Sequence, residues 1–470
     1  MNAPAQSAPA APGKPPRRLP GALYSAIWRW HFWAGLLVAP VLVIVALTGA
    51  LLAFHGEING LLHPGLHRAG QGGGRLPFET RIAAARARLG GDDWRLLVMR
   101  ESGDPAQVDE ILLERETPAG LEQIIVTVDP CTAGVAGALS LNEGFMSAVL
   151  RLHRSLFAGA AGRALVELST CWGVVTLLTG LLLWWPRLWE KTRGARLPRP
   201  ASASAITGAI WEKTRGAWLP RLRNGAGPAL RDLHVVPAVY MTPLVLVIML
   251  AGLVHTPVFG RGFFAGLRLA RQFPASRLSP PKSAPPAPGA RPLTADEAVA
   301  AARKHFDFGG LSLSPPPRPG AAWTISSPLD KPLQPGAIVF IDARTGAALD
   351  IIRLRDMPPG ARLALWFYPV HTGSVFGLPT KILAVLACLS VALMSLTGVM
   401  LWWRRRPRGK FGSPGVGPGA PPVPKAAICA LALLGVIFPL VGASLLLLPA
   451  GEFATRRLRR AWRKGDANQK

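Results

Sequence analysis

Five stretches of this chain, residues 27–54, 164–185, 235–257, 378–403 and 426–448, are long enough to cross a bilayer as helices and carry almost no charge. Backbone groups in lipid must bond to one another, so runs of this kind fold as spanning helices. The class expected is an integral membrane α-helical bundle of four or five transmembrane helices. The fifth run differs from the rest because Pro439 lies near its middle.

Charge gives the run order a direction. Lys14, Arg17, Arg18 and Arg29 precede or open the first run, with no acidic residue among them. The loop 186–233 carries Arg187, Lys191, Arg193, Arg196, Arg199, Lys213, Arg215, Arg221, Arg223 and Arg231, and the loop 404–425 is basic as well. Basic flanks stay in the cytoplasm, so a multi-pass protein with a cytoplasmic N-terminus is expected in a bacterial inner (plasma) membrane. Segments 56–150 and 258–370 hold most of the acidic residues and fall on the outer side. The basic tail 449–470 fits less well, because five spans would place it outside. Either 426–448 turns back at Pro439 or it is a full span that tolerates the tail; the full span is the reading adopted. Residues 1–26 are rich in Ala and Pro and read as a disordered cytoplasmic terminus followed by an uncleaved first helix. The net charge of +27 gathers beside the spans, so no nucleic-acid partner is expected.

The chain repeats itself. His153 is followed 26 and 27 residues later by Thr179 and Gly180, then by Trp184 and Trp185; His371 is followed at the same spacing by Thr397 and Gly398, then by Trp402 and Trp403. His31 precedes Gly49 by 18 residues, as His234 precedes Gly252. The two outer segments match too. Each has an Ala-rich helical pattern, 82–89 or 295–305, then strand-like runs closing on an Asp-x-x-Thr turn, followed by glycine, at Asp129 or Asp342. The fold expected is therefore an internal duplication, each copy a helix pair bracketing a small α+β outer domain of one helix on an antiparallel sheet. Residues 280–292 read as a proline-rich connector. In the cytoplasmic loop, WEKTRGARLPR at 189–199 recurs as WEKTRGAWLPR at 211–221, a tandem amphipathic basic segment suited to the membrane interface.

Two parallel copies imply a pseudo-twofold axis along the membrane normal. That axis would bring His31 to His234 near the cytoplasmic face and His153 to His371 near the outer face. Histidine is costly in lipid, and two neutral imidazoles on opposite sides of a flat ring are what a six-coordinate haem requires. Two haems of the b type, held by His31, His153, His234 and His371, are one reading; interfacial packing residues of an aromatic belt are the other. His55 and His255, near the outer face, could replace or supplement a ligand, whereas His63 and His67 read as solvated and His305 has no visible partner. Cys131, Cys171, Cys388 and Cys429 form no CxxC pair, so neither a disulfide framework nor a zinc site is expected. No GxGxxG follows a strand, and no Walker motif or HExxH occurs, so the chain has no NAD or flavin domain and no ATPase of its own.

Arg29-Trp30-His31-Phe32-Trp33-Ala34-Gly35 with Leu47-Thr48-Gly49 and Glu57-Ile58, and Leu152-His153-Arg154-Ser155-Leu156-Phe157 with Leu178-Thr179-Gly180-Leu181, resemble the PepSY-associated transmembrane helix family across residues 20–405. The outer segments, with Val128-Asp129-Pro130 and Ile341-Asp342-Ala343-Arg344-Thr345-Gly346, are similar to PepSY domains. The second copy departs from the first at His371-Thr372-Gly373, and Ala251 stands where the first copy has Thr48. The resemblance implies an iron-regulated inner-membrane protein similar to ferric-siderophore reductases, with b-type haems on His31, His153, His234 and His371. A siderophore or other ferric chelate held between the outer domains would be reduced, with electrons from a quinol or a cytoplasmic reductase. Two further readings stand beside it: a haem-free membrane protein whose PepSY-like domains bind or regulate, and an iron or siderophore permease component.

Overall fold

The structure, a computed structural model, describes residues 21–66, 73–104, 106–118, 120–193, 218–274, 278–283, 291–329, 331, 333–406 and 424–447. The tail 449–470, His67 and most of the repeated WEKTRGA segments lie outside the described residues.

Among the described residues four helices are long and apolar enough to cross a membrane. They are α1 (Gly21–Ala53), α5 (Gly159–Arg193), α6 (Ala226–Leu253) and α10 (Leu378–Arg405), and the chain is a multi-pass membrane protein. Between α1 and α5 come α2 (His55–Leu62), α3 (Phe78–Arg88), strands β1 (Arg95–Glu101), β2 (Asp109–Thr117), β3 (Gly120–Val128) and β4 (Val135–Ser140), and α4 (Phe145–Ser155). Between α6 and α10 the same order returns as α7 (Phe259–Leu269), α8 (Ala295–Arg303), β5 (Leu311–Ser314), β6 (Trp323–Ser326), β7 (Ala337–Ile341), β8 (Ala348–Arg353) and α9 (Pro359–Thr372). The last element is α11 (Lys425–Ile437).

The spanning helices form a closed ring. α1 packs on α5 and α10, and α6 packs on the same two, so equivalent helices of the two copies stand diagonally across a central axis. Small residues make this packing possible: Ala34, Ala39, Ala46, Ala384, Ala387 and Ala392 are buried between the helices, as expected where lipid supplies no hydrophobic drive and close approach decides association.

The two outer units do not stand apart as two domains. β1 pairs antiparallel with β5, and the strands run β4-β3-β2-β1-β5-β6-β7-β8 in one eight-stranded sheet. Period-2 patterning drives each strand: in β5 and β6, Leu311, Leu313, Trp323 and Ile325 face the core while Ser312, Ser314, Thr324 and Ser326 face away. α3 and α8 lie together on that apolar face, with Ile82, Ala85, Val299 and Ala302 in one continuous core shared by both copies. The helices cap one another across the pseudo-axis. Phe78 and Glu79 donate their N–H groups to the Asp296 carboxylate, and Ala295 donates to Glu79. Each copy closes its hairpin with the same Asp turn: Asp129 accepts from the Cys131 and Thr132 amides, Asp342 from those of Arg344 and Thr345.

A buried ion cluster seals the junction. Arg81, 1% exposed, bonds Asp109 and, at 3.1 Å, Glu101, while Arg303 of the second copy reaches Glu101 at 2.8 Å. Burial holds the Asp109 carboxyl above its usual range, and the Arg81 guanidinium pulls the other way. Removing one partner leaves buried carboxylates uncompensated, so Arg81→Ala is expected to cost about 3–5 kcal/mol. The check is a fall in the midpoint of thermal unfolding that is partly recovered when Asp109→Asn is added.

Two sequence readings need correction. The first helix already begins at Gly21, inside the segment 1–26 read as disordered. The run 426–448, read as a full span, is not one helix. α11 stops at Phe438, whose N–H still bonds Leu434 O, and a new helix over 439–447 starts with the Gly442 N–H bonded to Phe438 O. Pro439 lacks the N–H that would continue the ladder, and Gly435 and Gly442 let the two limbs touch; a Cβ on Gly442 would sit 2.8 Å from Gly435 O. The tip is buried: Phe438 stacks on Phe259, Trp172 donates to Ser444, and Leu434 and Leu445 from opposite limbs pack on the same stretch of α5.

Candidate functional site

The four spanning helices enclose two pairs of histidines, one toward the sheet side of the membrane and one toward the opposite, loop side. His31 lies on α1 and His234 on α6, with ring centroids 6.3 Å apart and planes at 84°. His153 lies on α4 and His371 on α9, with centroids 6.2 Å apart and planes at 47°. Each pair joins equivalent residues of the two copies across the pseudo-axis.

One local device, used four times, holds every ring. His31 donates its Nδ1–H to Thr176 O at 3.0 Å, His153 to Val45 O at 3.0 Å, His234 to Met394 O at 2.9 Å and His371 to Ile248 O at 2.9 Å. In every case the accepting carbonyl lies one helical turn before a glycine, and the ring packs with its Cε1 nearest that glycine: Gly180, Gly49, Gly398 and Gly252 respectively. Three of the four glycines follow a threonine. Thr179, Thr48 and Thr397 donate their hydroxyls to carbonyls of their own helix and accept from the histidine Nδ1 at 3.2, 3.1 and 3.4 Å. Ala251 stands at the fourth place and gives His371 no such oxygen. The Thr-Gly pairs, and Ala251-Gly252 in the fourth place, therefore serve as sockets for imidazoles: His31 and His234 sit against the second spanning helix of their own copy, His153 and His371 against the first.

This arrangement has a chemical consequence. A carbonyl only accepts, so Nδ1 carries the proton and Nε2 is left as the lone pair. Donation from the second ring nitrogen to a backbone carbonyl is the usual way a protein fixes the orientation of a metal-ligating histidine and raises its basicity. Two imidazoles sharing one metal at about 2 Å from each nitrogen would have ring centres about 6.3 Å apart. Among the described residues no group of three His, Cys, Asp or Glu side chains converges as a protein-only metal centre.

Two buried donors on the loop side have no partner among the described residues. They are Arg29 Nη2, within one helical turn of His31, and Trp184 Nε1, one turn beyond Gly180. A buried unpaired donor is costly, so both mark a place where an acceptor is wanted. The counterpart of Arg29 in the second copy is Asp232, which is fully engaged by Arg221 at 2.7 and 3.0 Å.

The other histidines are placed differently. His255 follows α6 on the sheet side, exposed, with its ring 6.4 Å from His371 and 5.9 Å from Tyr368. His55 opens α2 and accepts from Asn59 Nδ2 at 3.3 Å, joining neither pair. His63 and His305 are exposed. Where a cleft between two outer domains was expected to hold a ligand, β1 and β5 are hydrogen-bonded and the core runs through without a break. Sequence reasoning missed the threonine hydroxyls, Arg29, Trp184, Arg154 and Tyr368. The signal for the first was the fixed spacing from each histidine to a Thr-Gly pair.

The family model described as the PepSY-associated TM region matches residues 28–405. No curated protein matches the chain.

Proposed function

The chain belongs to the PepSY-associated TM region family, and from that premise we propose that it carries electrons across a bacterial inner membrane to a ferric chelate, through two b-type haems. The observation that carries this reading is the pair of facing imidazole sets, at 6.3 and 6.2 Å, each ring pinned through Nδ1.

The residues fit the group. Each pair offers two ligands and leaves the rest of a metal's shell to be supplied, which a porphyrin does. The orphaned donors Arg29 Nη2 and Trp184 Nε1 suit the carboxylates that a haem carries at its edge. His31 and His234 would hold one haem, His153 and His371 the other. Bound there, the haems supply one-electron redox chemistry. The chain's own contribution is to hold the four rings in fixed orientations, keep each Nε2 deprotonated through the Nδ1 bond, and bury the pathway among apolar helices.

The sheet would face the periplasm. This is supported by the basic flanks, which gather on the opposite side of the spans. The loop-side pair would then take electrons from a quinol or a cytoplasmic reductase, and the sheet-side pair would pass them to the chelate.

The test is the absorbance spectrum of protein purified from haem-replete cells. Expected are a low-spin, bis-imidazole spectrum, about two haems per chain and two resolved midpoint potentials. A colourless preparation overturns the proposal.

A further inference from the structure

The duplication is broken on the sheet side of His371. The spacing that relates His31 to His234 maps His255 onto Leu52, and the spacing that relates His153 to His371 maps Tyr368 onto Leu150 and Arg154 onto Thr372. Two of the three positions thus have leucine as counterpart, and the one cation faces a threonine. A role in packing the two copies would call for similar residues in both. A single ligand, bound off the axis, calls for them in one.

The three residues gather around the sheet-side pair. The His255 ring lies 5.9 Å from that of Tyr368 and 6.4 Å from that of His371, which is itself 6.2 Å from His153. Arg154 follows His153 directly in the last turn of α4. Arg154, His255 and Tyr368 are all exposed, and no carboxylate pairs with Arg154 among the described residues. An exposed guanidinium, imidazole and phenol thus offer positive charge and several hydrogen-bond donors beside the sheet-side pair. Its complement is an anion rich in oxygen acceptors.

We propose that Arg154, His255 and Tyr368 form the docking site of an anionic, oxygen-donor ferric chelate of the catecholate or polycarboxylate type, held against His371. The site rests on the electron-transfer reading and replaces the interdomain cleft as the place of reduction. The step is a one-electron transfer. Chelated Fe(III) becomes Fe(II), the electron arrives through the sheet-side pair from a quinol or reduced cytoplasmic flavoprotein that is oxidised in turn, and no covalent bond to the chain forms or breaks.

The experiment measures binding without turnover. The haem-loaded protein in lipid nanodiscs is titrated calorimetrically with two redox-inert probes, the trianionic gallium(III) tris-catecholate and an uncharged gallium(III) trihydroxamate. The wild type is expected to prefer the trianion. Arg154→Gln and His255→Gln should each weaken its binding about tenfold, the loss of one charge-assisted or donor contact. Arg154→Lys should retain most of the affinity, and the haem absorbance should be unchanged throughout. Equal binding of the trianion by wild type and both Gln variants, or a wild type that favours the uncharged probe, overturns the site. A haem-free preparation that still binds the trianion through Arg154 overturns only the electron-transfer reading. A haem-loaded protein whose binding ignores Arg154 and His255 overturns only the docking site.

Discussion

Replacing His371 with phenylalanine is expected to remove the sheet-side haem alone and to slow reduction of a ferric chelate by a factor on the order of 100 or more. Even the loss of an outer-shell partner typically costs a metal site 10- to 100-fold, and His371 would be a direct ligand. The ring is similar in size to phenylalanine, so the helix packing around α9 survives while the lone pair is lost. His31→Phe gives the complementary result. Two kinetic experiments separate the variants. In His371→Phe, the remaining haem should still be reduced by the physiological donor, but its reoxidation by a chelate should be slow. In His31→Phe, the donor should fail to reduce the protein, whereas chemically reduced protein should be reoxidised by the chelate at the wild-type rate. If the two variants lose the same step, the electron does not pass the pairs in series. If neither loses haem, the rings are packing residues and the family premise alone remains.

Much of this architecture was legible in the sequence because the duplication is written in it twice. The matched spacings from His153 and His371 to their Thr-Gly pairs imply the copies, the pseudo-axis and the pairing partners. The meaning of the glycines was not legible. The spacing alone does not say what packs on them, and the structure shows that it is an imidazole, from a spanning helix at Gly180 and Gly398 and from α4 or α9 at Gly49 and Gly252. The union of the two outer units into one sheet was hidden for a different reason. β1 and β5 are paired across more than two hundred residues, and an edge strand looks the same in sequence whether it meets solvent or another strand. The turn at Pro439 was visible as an alternative, but hydropathy over 426–448 is uniform and cannot decide between a span and a hairpin. That decision lies in Gly435 and Gly442, seven residues apart, which touch only if the chain folds back. Arg154 and Tyr368 stand out only against their counterparts Thr372 and Leu150.

The glycine sockets give the second large effect, and they carry their own controls. A Cβ added at Gly252 would run into His371 Cε1 and lie 2.6 Å from its Nδ1, while one at Gly49 would lie 3.2 Å from His153 Cε1. Both glycines face the same sheet-side pair, from opposite copies. Both changes to alanine bring the same intrinsic helix gain of about 1 kcal/mol, so propensity cancels in the comparison. What differs is the clash. The His371 ring cannot retreat without breaking its 2.9 Å bond to Ile248 O, and it has no threonine oxygen to fall back on, because Ala251 stands at that place. Overpacking of this kind costs about 1–3 kcal/mol, so Gly252→Ala should lower sheet-side haem affinity by roughly ten- to a hundredfold. Gly49→Ala should leave the site nearly full. The loop-side pair repeats the test in a milder form, with Gly180→Ala at 2.9 Å from His31 expected to exceed Gly398→Ala at 3.2 Å from His234. Haem content per chain and the shift in each midpoint potential rank the four variants. The order Gly252, then Gly180, then Gly49 and Gly398 together is what the sockets require. A Gly252→Ala protein with full haem content and an unshifted potential would show that His371 does not depend on its socket, and the role assigned to all four glycines would fall with it.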